Sequence, residues 1–398
     1  MGGRPTLAHS RTLGIAFTRL LGGTLLAMST LAAGAHAEIA VSANDGKMVL
    51  IDGAATVVKN PPPDTVTIID IGATPPKAIA EIEVPASIVG PPSSVALTPD
   101  QGLALVTSAM KLDPKDPAKT VNDNRLTIID LKAQPPKVIA TLETGASPAG
   151  LSINKAGTLA LVANRGEGTV SIFTIAGKTV APAGKVTVAG PASGTSHVAF
   201  TPDGKMALVT RDNDFFVSVL AIDGAKVEYT KRDISAGLRP YGLDISPDGA
   251  IALVANVGRG GGDADTVSVI DLKAQPPRVV NTITVGQTPE GIKISPDGRT
   301  AAVVVMNGSN KPKASPFFND AGELLLLRIE GASLTPFAEA PIGHWSQGVA
   351  FSKDGKTILV QNMVEKEIMV FSLDGDTLKN TGQRIKTKGG PAGIRTAE

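Results

Sequence analysis

The sequence predicts an all-β protein: a seven-bladed β-propeller of four-stranded antiparallel blades, closed by pairing of its N- and C-terminal strands. Three observations carry this expectation. A self-similar unit recurs at a spacing of roughly 45 to 57 residues. Each copy reads as four short β-rich runs, with no 3.6-residue apolar period. Strand-like copies occur at both ends of residues 38–398, as a ring closed by its own termini requires.

Residues 1–37 stand apart from this pattern. Arg4, Arg11 and Arg19 precede an apolar run from Leu20 to Ala33 that ends in Ala35-His36-Ala37, the layout of a cleaved secretory signal peptide. Gly22, Gly23, Ser29 and Thr30 interrupt the run, which falls short of the ~20 apolar residues needed to span a bilayer. A periplasmic or secreted protein is expected, with residues 38–398 as one domain. Losing three arginines takes the formal charge from +1 to −2, which disfavours a general nucleic-acid footprint. There is no cysteine, so disulfides and thiol chemistry are excluded and stability has to come from a large core.

The first run of each unit ends in a turn. Val95-Ala96-Leu97-Thr98-Pro99-Asp100, Leu151-Ser152-Ile153-Asn154, Val198-Ala199-Phe200-Thr201-Pro202-Asp203-Gly204, Leu243-Asp244-Ile245-Ser246-Pro247-Asp248-Gly249, Ile292-Lys293-Ile294-Ser295-Pro296-Asp297-Gly298 and Val349-Ala350-Phe351-Ser352-Lys353-Asp354-Gly355 align directly. Pro presets φ at the second turn position, and Asp and Gly close the turn. A less regular seventh copy is Ile39-Ala40-Val41-Ser42. It competes with Gly390-Pro391-Ala392-Gly393-Ile394 for the innermost place in the closing blade.

The second and third runs are typified by Ala252-Leu253-Val254-Ala255-Asn256 and Thr266-Val267-Ser268-Val269-Ile270-Asp271, and the fourth by Arg278-Val279-Val280-Asn281-Thr282-Ile283. The Ala-Leu-Val-Ala-Asn and Thr-Val-Ser-Val-Ile-Asp pair resembles the YVTN-type β-propeller repeat family over essentially all of residues 38–398. That resemblance implies an exported bacterial propeller whose relatives include lactone hydrolases and a DNA-binding periplasmic protein. Tyr is absent from the YVTN position in every blade, and Thr107-Ser108 and Thr210-Arg211 replace Ala-Asn in two.

Loops joining an outer strand to the next inner strand share a face with loops joining second to third strands. The two histidines outside the leader, His197 and His344, fall in outer-to-inner connections with the single tryptophan, Trp345, and with Tyr241, Arg239, Glu290 and Gln347. Second-to-third-strand loops add Arg165, Arg211 and Asp212 on the same face. A few aromatic groups among convergent polar ones around a concavity suit a small-molecule site. The candidate ligand-binding residues are therefore Arg211, His197, Arg239, Tyr241, Glu290, His344, Trp345 and Gln347. The recurring asparagines, by contrast, are expected to stabilise loops as Asx turns.

Residues 108–124 read as a polar, solvated excursion, and Phe317-Phe318 in the loop 307–321 as a pair tucked against the rim. Gly258–Gly262 precedes a strand rather than a helix, so it reads as a hairpin loop rather than a phosphate cradle. No Gly-x-Ser-x-Gly or His-Glu-x-x-His motif occurs, and neither a metal nor another cofactor is called for. The leading functional expectation is a monomeric binding or scaffold propeller whose rim holds a small anionic ligand or a periplasmic protein partner. One alternative is a lactone or ester hydrolase with a rim His or Glu290 as base and Arg polarising the carbonyl. A second alternative, a periplasmic DNA-binding propeller, is disfavoured by the charge.

Overall fold

The computed structural model describes residues 1–2, 14 and 37–397. The chain divides into two units, Met1–His36 and Ala37–Glu398, and everything below concerns the second. The expected signal peptide therefore lies outside the described residues, apart from residues 1–2, 14 and 37.

Seven four-stranded antiparallel sheets form the blades. Numbered in chain order, blades 1 to 6 have innermost strands Val95–Leu97, Pro148–Ile153, Thr195–Phe200, Pro240–Ile245, Pro289–Ile294 and Ser346–Phe351. Blade 7 is ordered Gly390–Thr396, Ile39–Asp45, Thr65–Asp70, Lys77–Glu83, so the last strand of the chain is innermost and the first pairs beside it. Ring closure is as expected. Ile39–Asp45, read as a possible innermost copy, takes the second position, and its Asn44 matches the asparagine that closes the second strands of blades 2, 4 and 6.

Burial explains the sequence pattern. Second strands such as Leu159–Asn164 are buried on both faces and read as continuous apolar runs, whereas outer strands such as Lys137–Glu143 are mostly exposed. The core lies between blades. Leu253, Ala255, Val267 and Val269 of blade 4 interlock with Ile292, Val303, Val305 and Leu325 of blade 5. Each fully buried Val, Leu or Ile contributes ~1.5–3 kcal/mol, and no blade can bury its faces without neighbours.

The two repeat signatures have distinct physical causes. In five blades a Ser or Thr hydroxyl meets the turn aspartate at 2.6 Å: Thr98–Asp100, Thr201–Asp203, Ser246–Asp248, Ser295–Asp297 and Ser352–Asp354. The same carboxylate accepts a backbone N–H two residues on, as from Ala250 at 3.0 Å. The recurring asparagine forms cross-strand bonds rather than the expected Asx turns. Asn164 Nδ2 donates to Thr169 and Ser171 at 2.9 Å, and its Oδ1 accepts from Gly145 N at 3.1 Å. Asn256 and Asn44 donate likewise to Thr266 and Ser268, and to Thr65 and Thr67. A Cβ on Gly145, Gly237 or Gly343 would come within 2.5–2.7 Å of its asparagine, so these blades need glycine there.

Two long connections differ from expectation or add to it. Residues 108–124 are mostly strand, since Leu103–Leu112 and Thr120–Asp130 continue their pairing to Leu112 and Thr120. In blade 7 an extra hairpin, Met48–Ile51 with Ala54–Val57, rises from a buried knot in which Lys47 Nζ meets Asp64 at 2.9 Å and Asp45 at 3.3 Å. A Cβ on Gly53 at its tip would overlap Pro312, so this hairpin reaches the blade 5 loop.

Candidate active site

The face predicted to carry function is shaped by a backbone device at each inner strand. The residue before the strand is left-handed in blades 2 to 6: Ser147, Gly194, Arg239, Thr288 and Trp345 have φ between +48° and +66°. The strand then opens with a β-bulge in blades 2 to 7, shown by register shifts around Ala149, Ser196, Tyr241, Glu290, Gln347 and Ala392. A bulge re-aims side chains and is common beside active sites. Non-glycine residues held at positive φ are strained by ~1–2 kcal/mol each, and Arg239 and Trp345 are two of them.

Just beyond the bulge most blades carry glycine because neighbouring inner strands approach too closely for a side chain. A Cβ on Gly242 would sit 2.7 Å from Glu290 O, and one on Gly291 2.5 Å from Gln347 O. Blade 1 departs from the pattern, as its innermost strand has only three residues. The segment Gly90–Ser94 instead crosses the axis. Pro92 O accepts from Ile394 N of blade 7 at 3.3 Å, Ser93 O accepts from Leu151 N of blade 2 at 3.0 Å, and the Pro92 ring lies against Gly291 of blade 5. This segment lies between the inner strands of blades 2, 5 and 7, and the polar group on the predicted functional face is called the upper cup.

The upper cup gathers five polar side chains from blades 2 to 5. Asp212, fully buried, accepts from Arg165 at 2.7 Å and Arg239 at 3.2 Å through the same Oδ2. Its Oδ1 has no hydrogen-bond partner among the described residues and packs on Gly194, where any Cβ would overlap it. Arg165 also donates to Ser196 Oγ, and its guanidinium lies 5.9 Å from the centroid of the Tyr241 ring.

Glu290 completes the group. It is 7% exposed and has no hydrogen bond among the described residues. Burial pushes its carboxyl up to about 8, because the opposing pull of Arg239 and Arg165 does not offset the loss of solvent. The Tyr241 phenol is pushed far above its usual range, first by burial and then by the Glu290 carboxyl. At neutral pH the cup thus holds two guanidinium charges, one paired carboxylate and one largely protonated carboxylic acid.

The remaining candidates are placed elsewhere. Arg211 turns outward to Asp214 and Asp233, the latter at 3.0 Å, under the Phe216 ring. His197, 3% exposed, accepts from Leu243 N through Nδ1 at 3.1 Å, which puts its ring proton on Nε2, 3.5 Å from Arg395. Burial and the nearby Arg395 and Lys293 charges hold it well below the usual histidine range. His344 lies on the outer rim with Nδ1 2.6 Å from Glu365, and Trp345 packs against the cluster of Ile88, Met363 and Ala392. Gln347 is buried at the blade 6 bulge with Nε2 on Trp345 O at 3.2 Å, and its Oε1 has no partner among the described residues. Phe317 packs its ring on Gly262, which accounts for glycine in the 258–262 loop, yet stays 44% exposed.

Asp212 and Arg165 belong with Arg239, Tyr241 and Glu290, a grouping that loop position alone did not single out. Their signal was adjacency to the second-strand ends at Arg211 and Asn164. The crossing segment was also missed, although Gly90-Pro91-Pro92-Ser93-Ser94 stands where blades 2, 4, 5 and 7 carry Pro-x-Gly.

With this geometry in view, similarity to known proteins can be placed on the chain. The model of the family described as lactonase, 7-bladed beta-propeller, matches residues 158–313, fewer than half of the chain. That stretch contains all five cup residues. No curated protein matches the sequence. Among solved structures, a candidate 6-phosphogluconolactonase of Bacteroides fragilis superposes with a TM-score of 0.69 at 17% identity, covering 92% of this chain and 99% of the other. The periplasmic gluconolactonase of Pseudomonas aeruginosa gives 0.62 at 17%, covering 91% and 99%. A functionally unknown protein of Desulfotomaculum acetoxidans gives 0.66 at 15%, covering 91% and 99%. The YVTN resemblance rests on the repeat residues alone. The chain is a seven-bladed β-propeller, similar over residues 158–313 to the lactonase-type propellers.

Proposed function

We propose that the upper cup hydrolyses a lactone or related cyclic ester. The observation that carries this reading is Glu290: a buried carboxyl with its proton affinity tuned to about 8, facing two guanidinium groups. A general base works best when its pKa lies near the operating pH. The family match over the same five residues and the gluconolactonase-like neighbours support hydrolysis above the binding or scaffold reading.

In this mechanism the Glu290 carboxylate takes a proton from water as its oxygen attacks the lactone carbonyl carbon. Arg239 and Arg165, fixed on Asp212, stabilise the oxyanion. The carbon to ring-oxygen bond then breaks, and the ring oxygen takes the proton back from Glu290. The product is an open hydroxy acid, with one water consumed and Glu290 regenerated. Asp212 is a positioning residue here.

The test is hydrolysis of a panel of sugar lactones, phosphorylated and plain, and aliphatic lactones by the purified chain, followed by acid release. Turnover lost in both Glu290→Gln and Arg239→Ala supports the proposal. Saturable binding without turnover would return the cup to the binding reading. Export to the periplasm remains part of this proposal, and a mature N-terminus at residue 38 would support it.

A further inference from the structure

The opposite mouth of the channel holds a second concavity that the hydrolytic reading does not use. It encloses about 530 Å³, within the range of small-molecule pockets, and all seven blades contribute to its wall.

Its wall is mainly apolar. Ile153, Phe200, Ile245, Ile294 and Phe351 line the interior, and Pro99, Pro202, Pro247 and Pro296 line the edge. The prolines occupy the second position of the Ser/Thr-x-Asp turns. In blades 2 and 6 the same position is taken by lysine, in Asn154-Lys155-Ala156-Gly157 and Ser352-Lys353-Asp354-Gly355. The fold does not require this exchange, since the blade 6 turn keeps its 2.6 Å Ser352–Asp354 bond regardless.

Lys155 and Lys353 are exposed, and neither ammonium group has a hydrogen-bond partner among the described residues. Deeper in, Lys293 Nζ lies 3.1 Å from Asp244 Oδ1, and the other Asp244 oxygen accepts from Ile294 N at 2.6 Å. The Glu38 carboxylate at the edge is occupied by the Lys353 backbone N–H at 2.5 Å. Among the described residues the cavity edge thus offers the Lys155 and Lys353 ammonium groups beside apolar walls, while Lys293 is engaged with Asp244 and turn aspartates such as Asp248 and Asp354 are held by hydroxyl and backbone N–H bonds within their own turns.

We propose that this lower cup is a second binding site, for a small organic anion with an apolar body such as an aromatic carboxylate. The apolar part fills the space between Phe200, Ile245 and Phe351. The anionic end stays at the rim with Lys155 or Lys353, where it keeps much of its hydration. This is independent of whether the upper cup is catalytic.

Titration of the chain with 2-naphthoate, followed by calorimetry, tests the proposal. One saturable site is expected, weakened at least tenfold in the double variant Lys155→Glu/Lys353→Glu and in the cavity-filling Ile245→Trp, and unchanged in Arg239→Gln. Melting temperatures of all variants check that they fold. Absence of saturable binding, equal affinity in the lower-face variants, or loss in Arg239→Gln would each overturn it.

Discussion

The two mouths of the channel are built from the same repeat, yet they use it in opposite ways. The lower mouth is ringed by turns that repeat the same chemistry: a Ser or Thr hydroxyl on an aspartate at 2.6 Å in five blades. At the upper mouth blades 2 to 7 place five kinds of residue at the same bulge: Ala149, Ser196, Tyr241, Glu290, Gln347 and Ala392. Repetition serves folding, because each turn must close the same way. Variation at a fixed backbone position serves chemistry, because a site needs unlike groups side by side.

The largest expected contrast is in activity. Glu290→Gln should lower kcat/KM for a hydrolysed lactone by about 10²–10⁴-fold, the usual worth of a general acid–base group. His344→Ala, on the outer rim, should change kcat/KM less than threefold, and a comparable loss in both variants would erase the distinction between cup and rim.

Stability gives the next contrast. Gly194→Ala forces a side chain into the Asp212 carboxylate at φ +66°, so a loss of about 2–4 kcal/mol is expected by chemical denaturation. Gly204→Ala has the same positive φ of +67° but open space around it, and should cost only about 1–2 kcal/mol. Equal losses would show that backbone strain rather than the Asp212 contact sets the cost.

The pH dependences should have opposite signs at the two mouths. Glu290 is raised in the folded state, so the unfolded chain loses this proton first, and its contribution to stability falls as pH rises from 4.5 to about 8. In Glu290→Gln that decline, at most about 1.4 kcal/mol per pH unit, should disappear. The lower turns behave in reverse. Hydroxyl bonds from Thr98, Thr201, Ser246 and Ser352 hold Asp100, Asp203, Asp248 and Asp354 below the usual carboxylate range. Their contribution is complete above the unfolded value near 3.8 and is lost as pH falls below it. Ser246→Ala should cost only about 1 kcal/mol at neutral pH and less in acid, read from urea unfolding at both pH values.

The fold was legible because the repeats encode it redundantly: the turn, the asparagine and the apolar second strand each recur with one physical cause. Of the cup, Arg239, Tyr241 and Glu290 were legible because they differ at positions that are equivalent between blades. Asp212 was harder to select, since its importance lies in sharing one oxygen between arginines of blades 2 and 4, a contact that no linear spacing displays. His344 and Arg211 looked equally suitable in sequence, but strand register turns Arg211 toward the outer strands and leaves His344 on the rim. The crossing segment escaped notice because blades 3 and 6 also lack Pro-x-Gly, so its absence from blade 1 does not announce the shortened inner strand.

The most direct test of the central claim is the pH profile of kcat/KM for a lactone turned over by the chain, measured beside Glu290→Gln. A rise with pH to a plateau with a midpoint near 8, absent from the variant, is what a buried catalytic carboxylate at Glu290 requires. A flat profile, or a variant that keeps both the rate and the midpoint, would contradict it.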